Sequence, residues 1–308
     1  MGMLGLLAPL VAGAGLVGWS GWVSRKAEQA VPADGNFVDV PGARLHYVEK
    51  GQGPAIVMIH GLLAQLRNFS YAMLDDLARD HRVILVDRPG WGWSTLTGPR
   101  PGIAAQGDMI AALLDKLEVE RPVLVGHSMG GAVSLGLALN HVARVRGLAL
   151  IAPLTQPVAT VPAPFRGLVT PAPLRPFLAW TVAVPAAMLN GAKATREVFA
   201  PDPVPGDFAT RGGGLLAIRP QSYQAGAFEL SIAERDMAAI AARYGALDLP
   251  VSILFGREDN LLDPELHGRH TADAIRGAHL TLAEGGHMLP ITAPADTLAW
   301  LRAAIAAM

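Results

Sequence analysis

The chain has 308 residues, 51% hydrophobic and 17% charged, with no cysteine and a formal net charge of −1. The missing cysteines exclude a disulfide scaffold, a thiol nucleophile and any thiolate-held zinc or iron–sulfur centre, and the near-zero charge leaves no electrostatic footprint for nucleic acid. The length exceeds the usual domain of about 100–150 residues, yet suits one α/β unit with an addition.

Residues 1–24 carry no charged side chain, and Arg25 and Lys26 follow. About 20 apolar residues span a bilayer. Trp19 and Trp22 stand before the basic pair, where interfacial aromatics are expected. A secretory signal carries its charge ahead of the apolar run, whereas here it lies behind. The segment is therefore read as a membrane anchor, with the body on the cytoplasmic side. Two other readings stay open. One is a signal peptide cleaved near Ala30 or Ala33, with export; the other is an apolar segment docked on the protein's own surface, since Pro9 and several glycines weaken an autonomous helix. Gly13, Gly15 and Gly18 spell G-x-G-x-x-G. That fingerprint binds a dinucleotide only between a strand and a crossover helix, a context absent here, and no cofactor is implied.

After a polar linker at 25–36, residues 37–40 and 44–48 alternate around Pro41-Gly42 and predict a hairpin. Short continuous apolar runs follow at 55–59, 83–86, 123–125, 148–151, 251–255 and 280–282. Runs of this kind suit parallel strands buried on both faces. Helical patterns lie between them, at 109–117 and 132–139, and another closes the chain at 295–307 behind Pro294. The pattern predicts an α/β fold, a mostly parallel doubly wound sheet opened by an antiparallel hairpin. Residues 154–244 show no strand and ten prolines between 157 and 205. Such a stretch is too long for a connection and too apolar for a disordered linker. It reads as an inserted helical cap of short, proline-broken helices. The expected division is an anchor at 1–24, a linker at 25–36, a core at 37–153 and 245–308, and a cap at 154–244.

The chemistry centres on Gly126-His127-Ser128-Met129-Gly130-Gly131, which follows a buried strand and opens a helix. That is the strand–elbow–helix context in which G-x-S-x-G exposes a serine Oγ in a strained turn. The helix N-terminus aims amide N–H groups at the spot where an oxyanion would form. Serine needs a base held by an acid, and in this order the acid comes next and the histidine last. Glu258, Asp259 and Asp263 follow the run at 251–255, and His287 follows the run at 280–282. Both loops leave the carboxyl ends of predicted parallel strands, on the edge that carries Ser128.

From Phe37 onward the chain resembles the α/β-hydrolase superfamily. His60-Gly61-Leu62 looks like its oxyanion segment, and Asp87-Arg88-Pro89-Gly90-Trp91-Gly92-Trp93-Ser94 like its loop after the next strand. The elbow is similar to that of serine esterases and haloperoxidase-type enzymes. The resemblance implies Ser128 as nucleophile, His287 as base and Asp259 as acid, with the N–H groups of Leu62 and Met129 as oxyanion hole. Epoxide hydrolases and haloalkane dehalogenases carry Asp at the elbow, so Ser128 argues against both.

His60 and His127 are expected to be structural partners of the backbone near the elbow, and Asp87 and Arg88 to hold their loop. His267 and His270, with Glu265 nearby, suggest a metal only faintly and are read as a solvated face, with no metal site expected. The expected function is a serine hydrolase cleaving carboxylic esters with apolar acyl or alcohol groups. A cofactor-free perhydrolase or haloperoxidase-type reaction and C–C bond hydrolysis use the same machinery. A non-catalytic binder of an apolar ligand is the remaining alternative. The expected partners are a small apolar ester and, through residues 1–24, a membrane.

Overall fold

The computed structural model describes Leu4 to Met308, with side-chain surroundings in the first helix from Gly13 onward. The six apolar runs form β3 (Ala55–Ile59), β4 (Arg82–Val86), β6 (Val123–His127), β7 (Gly147–Ile151), β8 (Val251–Gly256) and β9 (His279–Ala283). They pair in parallel in the spatial order β4-β3-β6-β7-β8-β9. The hairpin β1 (Asn36–Val40) and β2 (Ala43–Lys50) adds antiparallel to β4, and the short β5 (Thr95–Leu96) pairs with β2. Branched residues dominate because both faces of these strands are covered. Val57, Ile59, Leu124, Leu148 and Ile253 pack into one core layer. Their neighbours Ile56, Met58, Val123, Val125 and Leu254 pack into the layer on the other face.

The chain turns outward from β3 to β4 and returns to place β6 on the other side of β3. This reversal is the switch point at which open α/β sheets form their binding crevice. Residues 60–62 and the elbow leave the adjacent strands there.

Three elements depart from the expected division. The helix α1 runs unbroken over Leu4–Ala30, so the first half of the predicted linker is helical. Its C-terminal half docks on the body: Ser20, Val23, Ser24 and Ala27 are buried, as is Val31 just past its end, Glu28 lies 3.2 Å from Arg219, and Trp93 Nε1 donates to the Val31 carbonyl at 3.1 Å. Of residues 20–24 in the expected anchor, Ser20, Val23 and Ser24 therefore pack against protein, while Trp22 is exposed. The part of that expectation resting on residues 1–3 and on the side chains of 4–12 lies outside the described residues. The G-x-G-x-x-G glycines fall inside α1 and not at the start of a helix.

Within 154–244, proline-initiated turns at Ala163–Leu168 and Ala172–Leu174 lead through Arg175–Leu178 and Ala179–Ala183 into a long helix, Val184–Phe199. A 22-residue helix, Pro220–Ala241, closes the insertion, longer than the expected short pieces. Proline is tolerated in a first helical turn, so Pro220 starts this helix rather than breaking it. Its later residues Ala233, Met237 and Ile240 enter the main core. Among the described residues, the helical stretch Ala172–Phe199 is long and apolar enough to cross a membrane by length and composition.

Candidate active site

The helix Met129–Asn140 begins immediately after β6, and the residue between them, Ser128, has φ 54° and ψ −121°. A side chain in this left-handed conformation is strained. The local glycines explain why the turn closes. A Cβ on Gly126 would meet the Gly130 carbonyl at 2.6 Å, and a Cβ on Gly130 would collide with the Ile59 carbonyl. Ser128 is half-buried, and Met129 is buried beside it.

The loop after β8 carries Asp259, and the loop after β9 carries His287. His287 Nδ1 donates to Asp259 Oδ2 at 2.7 Å, and both residues are buried. Asp259 Oδ1 accepts from the Leu261 and Leu262 amides at 2.9 and 3.0 Å. Burial alone would raise the carboxyl pKa, but His287 and the two amides outweigh it and hold it below the usual range. Glu258 and Asp263 are exposed, and Asp263 instead accepts from the Glu265 amide. The carboxylate on His287 is therefore Asp259, of the three that the loop offered.

Ser128 and His287 face one cavity, which is otherwise lined by apolar residues from the segment after β3, the elbow, the inserted stretch and the loop after β8. No hydrogen bond joins Ser128 to His287 among the described residues; such bonds are often long before substrate arrives. Gly61 lies so close that a Cβ there would sit 3.0 Å from Ser128 Cβ and 3.4 Å from Oγ. Leu62 and Met129 both line the same cavity.

The remaining predicted residues serve as scaffold. His60 Nε2 accepts from the Arg88 amide at 3.0 Å, so Nδ1 carries the proton and donates to the Gly61 carbonyl at 2.9 Å. Burial, and then the Arg88 charge, push its pKa down to about 3. His127 Nε2 donates to the His287 carbonyl at 2.9 Å, and burial lowers its pKa to about 3 as well. Asp87 holds three segments together by accepting from His46 Nδ1 and from the Leu66 and Trp93 amides, each at 2.8 Å. His267 departs from the expected solvated face. It is buried, its Nδ1 accepts from the Thr155 and Gln156 amides at 3.2 Å, and burial lowers its pKa to about 4. His270 is exposed, and no metal-holding cluster occurs among the described residues.

Glu229, on the helix Pro220–Ala241, is a buried residue that sequence reasoning missed. Arg88 binds it through Nη1 at 2.6 Å and Nη2 at 3.1 Å. The same guanidinium donates to Gln106 Oε1 at 2.7 Å, to the His60 carbonyl at 2.9 Å and to the Gly61 carbonyl at 3.0 Å. One buried ion pair thus joins the cap's last helix to the backbone before Leu62. A lone carboxylate among apolar neighbours, Ala225-Gly226-Ala227-Phe228-Glu229-Leu230, was the available signal.

Residues 54–294 match the family model described as alpha/beta hydrolase fold. The dihydrolipoyllysine-residue acetyltransferase component of the acetoin cleaving system of Cupriavidus necator is 34% identical over 158 residues, 49% of this chain and 42% of that protein. The 2-hydroxymuconate semialdehyde hydrolase of a Pseudomonas species is 35% identical over 133 residues, 41% of this chain and 45% of that one. The chain thus spans less than half the length of these curated relatives. An alpha/beta hydrolase fold protein from Burkholderia ambifaria superposes with a TM-score of 0.72 at 25% identity, over 86% of this chain and 96% of its own. With the parallel sheet, the serine elbow and a family match over most of its length, the chain belongs to the α/β-hydrolase family.

Proposed function

We propose that the protein is a serine hydrolase cleaving carboxylic esters with an apolar acyl or alcohol group. The observation that carries this reading is the strained Ser128, facing an apolar cavity together with a histidine bonded to a buried aspartate. In this reading His287 Nε2 takes the Ser128 proton as Oγ attacks the ester carbonyl. The N–H groups of Leu62 and Met129 receive the developing oxyanion, in a dry setting where such donors act strongly. His287 then gives its proton to the leaving alkoxide, and a water activated by His287 releases the acid from Ser128. Asp259 keeps the proton on Nδ1, so that Nε2 is free to act as base.

Hydrolysis of a C–C bond is the second reading, supported by the matched semialdehyde hydrolase. A carboxylated diketone would find no Lys or Arg among the residues that line this cavity, which favours the uncharged ester. The test is Ser128→Ala assayed with p-nitrophenyl butyrate, alongside fluorophosphonate labelling of the parent protein. Loss of turnover and labelling at an unchanged melting temperature is expected. Retained turnover would overturn the proposal.

A further inference from the structure

Thirteen large hydrophobic side chains are exposed among the described residues; three lie on α1 and seven between Val169 and Leu189 of the cap. Leu189 is 84% exposed and Phe177 64%, with Val169, Val182, Met188 and Trp22 also open to water. The two elements meet, because α1 packs on Ala179–Ala183 and a Cβ on Gly21 would touch the Trp180 ring at 3.9 Å. An apolar concentration of this kind on one part of a surface marks an interaction site.

Charge identifies the occupant. Residues 1–27 and 121–196 contain no Asp or Glu, while Arg25, Lys26, Arg166, Arg175, Lys193 and Arg196 punctuate α1 and the cap. The acids that bound these stretches are Glu28, paired to Arg219, Glu120, which precedes β6, and Glu197, 3.8 Å from Lys193. Two copies meeting through this face would set cation against cation with no acid to separate them. Apolar side chains flanked by cations instead match an interface of acyl chains beneath anionic headgroups.

We propose that the exposed face shared by α1 and residues 169–196 lies in the plane of an anionic phospholipid bilayer. The mode is interfacial, in keeping with the docking of α1 on the body. The turn Ala163–Leu168 packs on the helix Val184–Phe199, and its Phe165 also lines the cavity. Apolar molecules dissolved in the bilayer thus have a short route to Ser128. Vesicle binding is measured separately from turnover, so this inference stands or falls independently of the ester reading.

The absence of cysteine permits single-site labelling of the full chain. Leu189→Cys, and Arg276→Cys just before β9 on the opposite sheet edge, each receive an environment-sensitive fluorophore. Phosphatidylcholine vesicles, with or without phosphatidylglycerol, are then added. The label at 189 is expected to shift to the blue and brighten severalfold, while the label at 276 stays unchanged. Phosphatidylglycerol should raise partitioning about 25-fold if two cations engage at about fivefold each. Phe177→Glu with Leu189→Glu should lower partitioning at least tenfold and leave turnover of a soluble ester unchanged.

Three results would overturn the proposal. The chain could fail to sediment with either vesicle. It could sediment while the label at 189 keeps its aqueous emission, which would assign binding to residues 1–24 alone. The label could shift without lipid as light scattering reports a dimer, which would assign the face to a second copy.

Discussion

Replacing Arg88 tests how the proposed oxyanion segment, residues 60–62, is held, and it separates stability from catalysis. Arg88→Met removes a donor from each of the His60 and Gly61 carbonyls and leaves Glu229 with only Gln106 Nε2 at 2.9 Å and Trp91 Nε1 at 2.8 Å. Breaking one half of a buried ion pair costs about 3–5 kcal/mol. At about 2 °C per kcal/mol for a chain of this size, the melting temperature should fall about 6–10 °C. Glu229→Gln should fall toward the smaller value, because Arg88 keeps Gln106 and both carbonyls. The double variant buries neither charge, so its loss should be about 2 kcal/mol or more below the sum of the single losses.

Turnover should follow a different pattern. The Gly61 carbonyl and the Leu62 N–H are the two ends of one peptide group. A guanidinium on the carbonyl oxygen fixes that plane and polarises the N–H as a donor. Removing an oxyanion donor outright costs about 10²–10³ in kcat. Here His60 Nδ1 remains on the same carbonyl, so a loss of about tenfold is expected, about 1.4 kcal/mol. It should appear in kcat, with KM within about twofold, in Arg88→Met and in the double variant, while Glu229→Gln stays near the parent. The assay is steady-state hydrolysis of p-nitrophenyl butyrate beside thermal melts of the same preparations. Full kcat in the double variant, or an equal loss in Glu229→Gln, would refute the reasoning.

Asp259→Asn should lower kcat by about 10⁴ by favouring the wrong imidazole tautomer. Glu258→Gln and Asp263→Asn should each stay within about twofold, and an equal loss at either would move the acid's role along the loop. Gly130→Ala should prevent folding to a native melt, because its Cβ collides with the Ile59 carbonyl; a native melt would contradict the elbow packing. Stability should fall with acid below about pH 6.5. His60, His127 and His267 have folded pKa values near 3, 3 and 4 against 6.5, so the unfolded chain binds more protons in this window. Each contributes about 1.4 kcal/mol per pH unit between its two values. The lowered Asp259 pKa acts in the same direction, its share being lost as pH falls through its folded value. Melts from pH 7 to pH 5 measure the slope; a flat profile would show that these histidines titrate freely.

Much of the fold was legible because its signals are local. Each parallel strand is a short apolar run with both faces buried, and the elbow, acid and histidine segments sit at strand ends where chain order places them. The loop residues alone left Glu258, Asp259 and Asp263 open, and only the family resemblance implied Asp259, since one residue along the loop decides whether a carboxylate faces His287 or water. The docking of α1 was equally out of reach as a choice. Its apolar run satisfies a bilayer and a protein surface alike, and only the burial of Ser20, Val23, Ser24, Ala27 and Val31 distinguishes them. His267 failed for the complementary reason. Glu265, Arg269 and His270 nearby suggested a solvated face, but its partners, Thr155 and Gln156, come from the segment after β7, more than a hundred residues earlier.

The cap is held in two different ways, and this bears on how substrate could enter. Its second half is fixed to the core: Glu229 is tied to Arg88, Asp236 accepts from the Ile103 amide at 2.9 Å, and Ala233 and Met237 are core residues. Leu230 and Ala233 of that same helix form part of the cavity wall. The first half, from residue 163 to 199, buries few side chains (Leu168, Ala179, Thr181, Val184 and Phe199) and leaves seven large hydrophobic ones exposed. Segments with little buried apolar area open at low free energy. Motion that admits a substrate therefore belongs to the first half, which faces the proposed bilayer. The Arg88–Glu229 pair holds the other wall, and with it the peptide before Leu62, in place while the entrance moves.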